Sequence, residues 1–168
     1  TMQRGAMQTT SAIIHASVQR GESRWVASCH EIAVVTQRDT LDEIVALGRP
    51  ITVSDIPYSA YAGETARLAH EKGLEVLLHL PLESVNNHEA MANTEGMILA
   101  MMTAPAIVAA FEASYDRVPF AAGANNHMGS RFTADRDLMR TILGPIKERG
   151  LFFVDSRPTA QTVALAEA

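Results

Sequence analysis

The chain has 168 residues, the length of one domain with a single core, and its 47% hydrophobic and 20% charged residues exclude a disordered chain. A formal charge of -5 without any dense run of Lys or Arg excludes nucleic acid as the expected partner. No apolar run approaches the ~18 residues of a membrane span, and the one cysteine, Cys29, excludes an internal disulfide and any multi-cysteine zinc site.

Residues 1–31 carry no clear period and are expected to form an N-terminal extension packed on a single domain over 32–168. The start lacks a basic segment followed by a long apolar core, and Thr1-Met2 reads as a cloning remnant. Any leader is therefore expected to lie outside this sequence. Ile32 to Val35 (IAVV) predicts a buried strand. Thr40 and Glu43 form a T-x-x-E capping box ahead of an apolar stripe ending at Gly48, which predicts a short helix. A strand over 51–54, a helix over 60–72 stopped by Gly73, and a strong strand over 74–80 ended by Pro81 follow. Residues 83–104 read as a long loop with some helix, and Pro105 suits the first turn of a helix reaching Tyr115. VPFAAGA (118–124) reads as a strand. Thr133 is expected to cap a helix that Gly144-Pro145 kinks or restarts and Gly150 ends. LFFV (151–154) is the last strand, with a short helix after Pro158.

Strands alternating with helices imply right-handed βαβ units, a parallel sheet and the α/β class. Ligand sites in such folds sit at the carboxyl ends of the strands. There the expected elements place Gln37, Arg38 and Asp39, then Asp55, His79, the run Asn125-Asn126-His127, and Asp155. Two histidines and an aspartate from separate strand ends are ordinary nitrogen and oxygen donors for Zn²⁺ or a similar divalent ion, which points to metal-assisted hydrolysis. The same residues also suit a core imidazole bonded to a backbone carbonyl and a histidine capping a turn, and spacing does not choose between these. Asn-Asn-His recurs at 86–88, but the flanks share nothing, so His88 receives no role. Ser130 with His127 lacks a G-x-S-x-G elbow, and no G-x-G-x-x-G follows the first strand. The methionines at 91, 97, 101 and 102 suit core or loop packing.

Three blocks, LEVLLHLPLE (74–83), GANNHMGSRFT (123–133) and ERGLFFVDSR (148–157), together with AYAGETARLAHEKG (60–73), resemble the divergent polysaccharide deacetylase family over roughly residues 32–165. The resemblance implies a distorted parallel (β/α) barrel related to the NodB-type carbohydrate deacetylases. It implies His79 and His127 as ligands of a divalent metal, Zn²⁺ the first expectation. Asp155 is implied as a carboxylate of the same cleft, with Asn126 and Arg131 lining it. A carbohydrate substrate or ligand and a periplasmic or cell-envelope location are implied as well.

The sequence departs from the family at two points. An Asp-Asp pair usually follows the first strand, where this chain has Thr36-Gln37-Arg38, leaving Asp39 and Asp55 as the nearest substitute carboxylates. Tyr61 stands where a histidine is more usual. Two functions therefore remain open: a deacetylase removing N-acetyl or O-acetyl groups with an altered ligand set, and a non-catalytic member that binds a glycan or a protein partner.

Overall fold

The computed structural model describes residues 16–20 and 25–29 as backbone strands, and residues 52–86 and 95–168 in full. The expected strand over 32–35 and helix over 40–48, with Gln37, Arg38 and Asp39, lie outside the described residues.

The described strands are β1 (Ala16–Arg20), β2 (Trp25–Cys29), β3 (Thr52–Asp55), β4 (Glu75–Leu82), β5 (Ala121–Met128) and β6 (Phe152–Asp155). The helices are α1 (Ala62–Glu71), α2 (Ala104–Tyr115), α3 (Arg136–Glu148) and α4 (Ala164–Glu167). One sheet joins the strands in the order β1-β2-β6-β5-β4-β3. β3, β4, β5 and β6 form a parallel core, β2 adds to β6 in parallel, and β1 pairs with β2 antiparallel. This is the α/β class that the alternation of strands and helices predicts. Ala16–Arg20 and Trp25–Cys29, where the sequence shows no strand pattern, make a hairpin that docks on β6.

β4 is buried from Val76 to Leu82, the continuous burial expected of a central parallel strand covered on both faces. Side-chain alternation sends Val76, Leu78, Leu80 and Leu82 to one face, where they join Val53, Ala124 and Phe153 in the core. Each such aliphatic side chain contributes about 1.5–3 kcal/mol by leaving water. Helices cover this face. α1 buries Ala62, Ala66 and Ala69, small residues at helical spacing that admit close approach to the sheet. α3 buries Met139, Ile142, Pro145 and Ile146 along one stripe and runs unbroken through Pro145, where the sequence predicts a kink or restart.

Three further expectations are corrected. Pro81 does not end β4, which continues to Leu82. On that side of the strand Ile98 bridges Leu82, with Ile98 N–H donating to Pro81 O and Glu83 N–H donating to Ile98 O. The ladder asks Pro81 for an acceptor only, so its missing N–H leaves no gap. Thr133 does not cap α3. Asp135 does, its Oδ1 accepting from the backbone of Asp137 and Leu138, while the Thr133 hydroxyl donates to Gly129 O at 2.9 Å. The fourth parallel strand spans 121–128 rather than 118–124, so Asn125, Asn126 and His127 are strand residues.

β5 carries a register shift near its start. Val76 pairs with Ala121 and Leu77 with Gly123, which leaves Ala122 as an extra, exposed residue. Gly123 is required by its neighbour in β6, because a Cβ there would lie 2.7 Å from the Phe152 ring. Gly96 is equally constrained: at φ 78 it lies under the Tyr58 ring, 2.0 Å from where its Cβ would be.

Candidate active site

The site is built from one row of the sheet. His79 of β4 pairs in register with Asn125 of β5, which pairs in turn with Val154 of β6. His127 lies two residues beyond Asn125 and so shares its face. Ser54, on the same face of β3, reaches across β4, and its hydroxyl donates to Asn125 Oδ1 at 2.5 Å. Asn125 Oδ1 also lies 2.9 Å from His79 Nδ1. A carbonyl oxygen only accepts, so this contact asks His79 Nδ1 to carry the proton and leaves Nε2 the lone pair. His79 Nε2 stands 3.1 Å from His127 Nδ1, with the two rings edge to face at 4.9 Å.

Burial sets the charge of this pair. His79 is 4% exposed, and loss of hydration lowers its pKa from 6.5 to about 4, against the Asn125 bond that raises it and with the neighbouring His127 lowering it further. Burial lowers His127 as well. Both imidazoles are neutral at physiological pH.

The period of two divides the candidate residues. His79, Asn125 and His127 face one way; Asp55, Asn126 and Asp155 face the other, toward the helices. Asp155 is buried, and both its oxygens are engaged within its own loop: Oδ1 accepts from Arg157 N–H and Oδ2 from the Thr162 hydroxyl, each at 2.8 Å. Asn126 ties the ends of β5 and β6 together, with Nδ2 donating to Met128 O at 2.6 Å and Oδ1 accepting from Ser156 N–H at 2.9 Å. Asp55 ends β3 beneath α1. Burial raises its pKa to about 6, against hydrogen bonds from Ser59, Ala66 and Ile56 that lower it, and its Oδ2 has no partner among the described residues. Among the described residues no group of three His, Cys, Asp or Glu converges as a metal ligand set. The structure thus brings His79 and His127 together and directs Asp55 and Asp155 elsewhere.

Arg131 is half-exposed and donates to Glu83 Oε1 at 2.8 Å. Glu83 is fully buried, and its Oε2 accepts from Ala100 N–H at 2.6 Å while its backbone oxygen accepts from Arg131 and Phe132. This carboxylate pins the turn after β5 and the segment before α2 to the end of β4. Sequence reasoning gave Glu83 no role, and it placed Asn125 at a strand end without a task. The available signal for Asn125 was the N-x-H alternation, which in a strand puts Asn125 and His127 on one face.

The profile of the family described as divergent polysaccharide deacetylase matches residues 34–168. The chain belongs to the divergent polysaccharide deacetylase family. It is 32% identical over 127 residues to the uncharacterized protein YibQ of Escherichia coli K12, a match covering 76% of this chain and 39% of that protein. It is 35% identical over 121 residues to an uncharacterized protein of Haemophilus influenzae, covering 72% of this chain and 42% of that protein. The chain therefore spans about two fifths of these relatives. In fold it is similar to the crystal structure of the uncharacterized protein ATU2773 of Agrobacterium tumefaciens C58, with a TM-score of 0.66 and 21% identity over 85% of this chain and 56% of that one. In this divergent polysaccharide deacetylase domain the HLPLE block supplies His79 and Glu83, the NNHMGS block supplies Asn125 and His127, and the VDSR block forms the Asp155 turn.

Proposed function

We propose that this domain hydrolyses an N-acetyl or O-acetyl group on a carbohydrate in a metal-dependent reaction, with His79 and His127 holding a divalent ion, Zn²⁺ the first choice. The observation that carries this reading is the nitrogen pair. Two nitrogens bound to one tetrahedral zinc at 2.0–2.1 Å lie about 3.3 Å apart, and His79 Nε2 and His127 Nδ1 are already separated by 3.1 Å. Their burial supplies the neutral imidazoles that ligation requires. A bound ion at such a site polarises an acyl oxygen and activates water.

The chain's own residues do the remaining work. Asn125 and Ser54 hold the His79 ring in place. For Nδ1 to serve as a ligand, His127 would carry its ring proton on Nε2. Arg131, whose guanidinium stays half in solvent while bonded to Glu83, is the cation offered to negative charge developing on the substrate. Asn126 and Asp155 act by fixing the ends of β5 and β6. Polysaccharide of the cell envelope is the substrate class, which puts the domain outside the cytoplasm.

The test combines elemental analysis of the purified chain with acetate release from an N-acetylated oligosaccharide, for wild type and His127→Ala. Stoichiometric zinc and acetate release, both lost in the variant, are expected. Failure to take up zinc at saturating concentration would sink the proposal.

The state of Asp155 favours a second reading. A carboxylate whose two oxygens already accept from Arg157 and Thr162 is poorly free to take a proton from water. A domain that keeps the cleft to bind a glycan or a protein, without turnover, fits that geometry. Saturable oligosaccharide binding with no acetate release would favour it.

A further inference from the structure

We propose that Asn125, backed by Ser54, is a positioning residue that fixes His79 as its Nδ1–H tautomer and aims the Nε2 lone pair at His127. Three observations carry this. First, Asn125 Oδ1 receives two contacts at hydrogen-bond distance, Ser54 Oγ at 2.5 Å and His79 Nδ1 at 2.9 Å. One oxygen acceptor serves both donors. Second, all three are buried, with Asn125 1% exposed, so water does not compete for these bonds. Third, the arrangement is set by backbone rather than by rotamer choice, because His79 and Asn125 are register partners on adjacent parallel strands.

A neutral imidazole free in water prefers the Nε2–H tautomer, which would turn a proton toward His127. The Asn125 oxygen reverses that preference. Reversing the amide instead would point Nδ2 at His79 Nδ1 and force the other tautomer, and the two states give different spectra. The tautomer stands on these hydrogen bonds alone. Its consequence for holding an ion rests on the metal-dependent reading above.

The test uses the full chain, metal-free and labelled with ¹⁵N-histidine, in long-range ¹H–¹⁵N correlation spectra at pH 8.5. His79 is expected to show a protonated Nδ1 and an unprotonated Nε2 in wild type and in Asn125→Asp, which keeps the acceptor. Asn125→Leu is expected to shift His79 toward the Nε2–H form. Zn²⁺ titration by calorimetry should then show affinity 10- to 100-fold weaker in Asn125→Leu and within a few-fold of wild type in Asn125→Asp. An Nε2–H tautomer in wild type, or an unchanged tautomer in Asn125→Leu, overturns the inference. If Asn125→Leu does not fold, the wild-type spectrum decides, with Ser54→Ala expected to raise the minor tautomer. A wild-type Nδ1–H tautomer without zinc binding upholds this inference and removes the metal-dependent reading. Zinc binding that is equal in wild type and Asn125→Leu, with equal tautomers, does the reverse.

Discussion

Acidification from pH 6.5 to pH 5 is expected to pull on His79 and Asp55 in opposite directions. His79 has a folded pKa of about 4 against 6.5 when unfolded, so within that window the unfolded chain takes up a proton that the folded chain refuses. Its contribution to stability is therefore lost as pH falls, by about 1.4 kcal/mol per unit, or roughly 2 kcal/mol between pH 6.5 and pH 5. Asp55 has a folded pKa of about 6 against 3.8 when unfolded, so between these values the folded chain holds a proton that the unfolded chain releases. Stability from Asp55 rises as pH falls, by about 1.4 kcal/mol between pH 6 and pH 5. The two partly offset each other in wild type, and substitution separates them. Urea denaturation followed by circular dichroism at pH 7, 6 and 5 should show Asp55→Asn losing about 1.4 kcal/mol more than wild type on acidification. His79→Gln should gain about 2 kcal/mol relative to wild type over the same range. Taking each variant against wild type removes the contributions of the other titrating groups. Parallel profiles for all three proteins would refute the assignment of these shifts to burial.

Three further outcomes follow from the packing. Gly96→Ala sets a Cβ against the Tyr58 ring at a positive φ, and its thermal midpoint should fall with a loss of at least 1–3 kcal/mol; an unchanged midpoint would mean that this loop does not sit under Tyr58. Glu83→Ala removes the acceptor of both Arg131 and Ala100 and should destabilise by about 3 kcal/mol, more than Arg131→Ala, as read from urea midpoints. Asp135→Ala should lose about 1 kcal/mol of stability through the α3 cap, and Thr133→Ala should leave the helix start intact by amide hydrogen exchange.

The sequence made the parallel core legible wherever burial on both faces leaves a continuous apolar run, as in LEVLLHL. β5 was harder, because its second half is Asn-Asn-His and polar strand residues look like a loop until a partner strand supplies a face. The β1–β2 hairpin left no trace in a segment without alternation. At the site, His79 and His127 were legible as strand-end imidazoles. Their separation from Asp155 was not, since it depends on side-chain parity and on whether each strand ends one residue earlier or later. Glu83 was hidden for another reason: its partners stand 17 and 48 residues away, and its burial is a tertiary fact. Thr133 and Asp135 compete for one cap, and only the chain's path past Gly129 decides between them.

The extra residue at Ala122 makes β5 behave like text with two reading frames. Before it, Ala121 is aligned with Val76 on the helix-covered face; after it, Gly123 is aligned with Leu77 on the opposite face. Deleting Ala122 would close the ladder into regular pairing and leave Asn125 opposite His79. Inserting one residue between Gly123 and Ala124 would instead present Ala124 to His79 and turn Asn125, Asn126 and His127 over to the other face. Length changes in this strand are thus silent on one side of Gly123 and lethal to the histidine pair on the other, an asymmetry that a short series of single-residue insertions and deletions, scored by the His79 spectrum, would map directly.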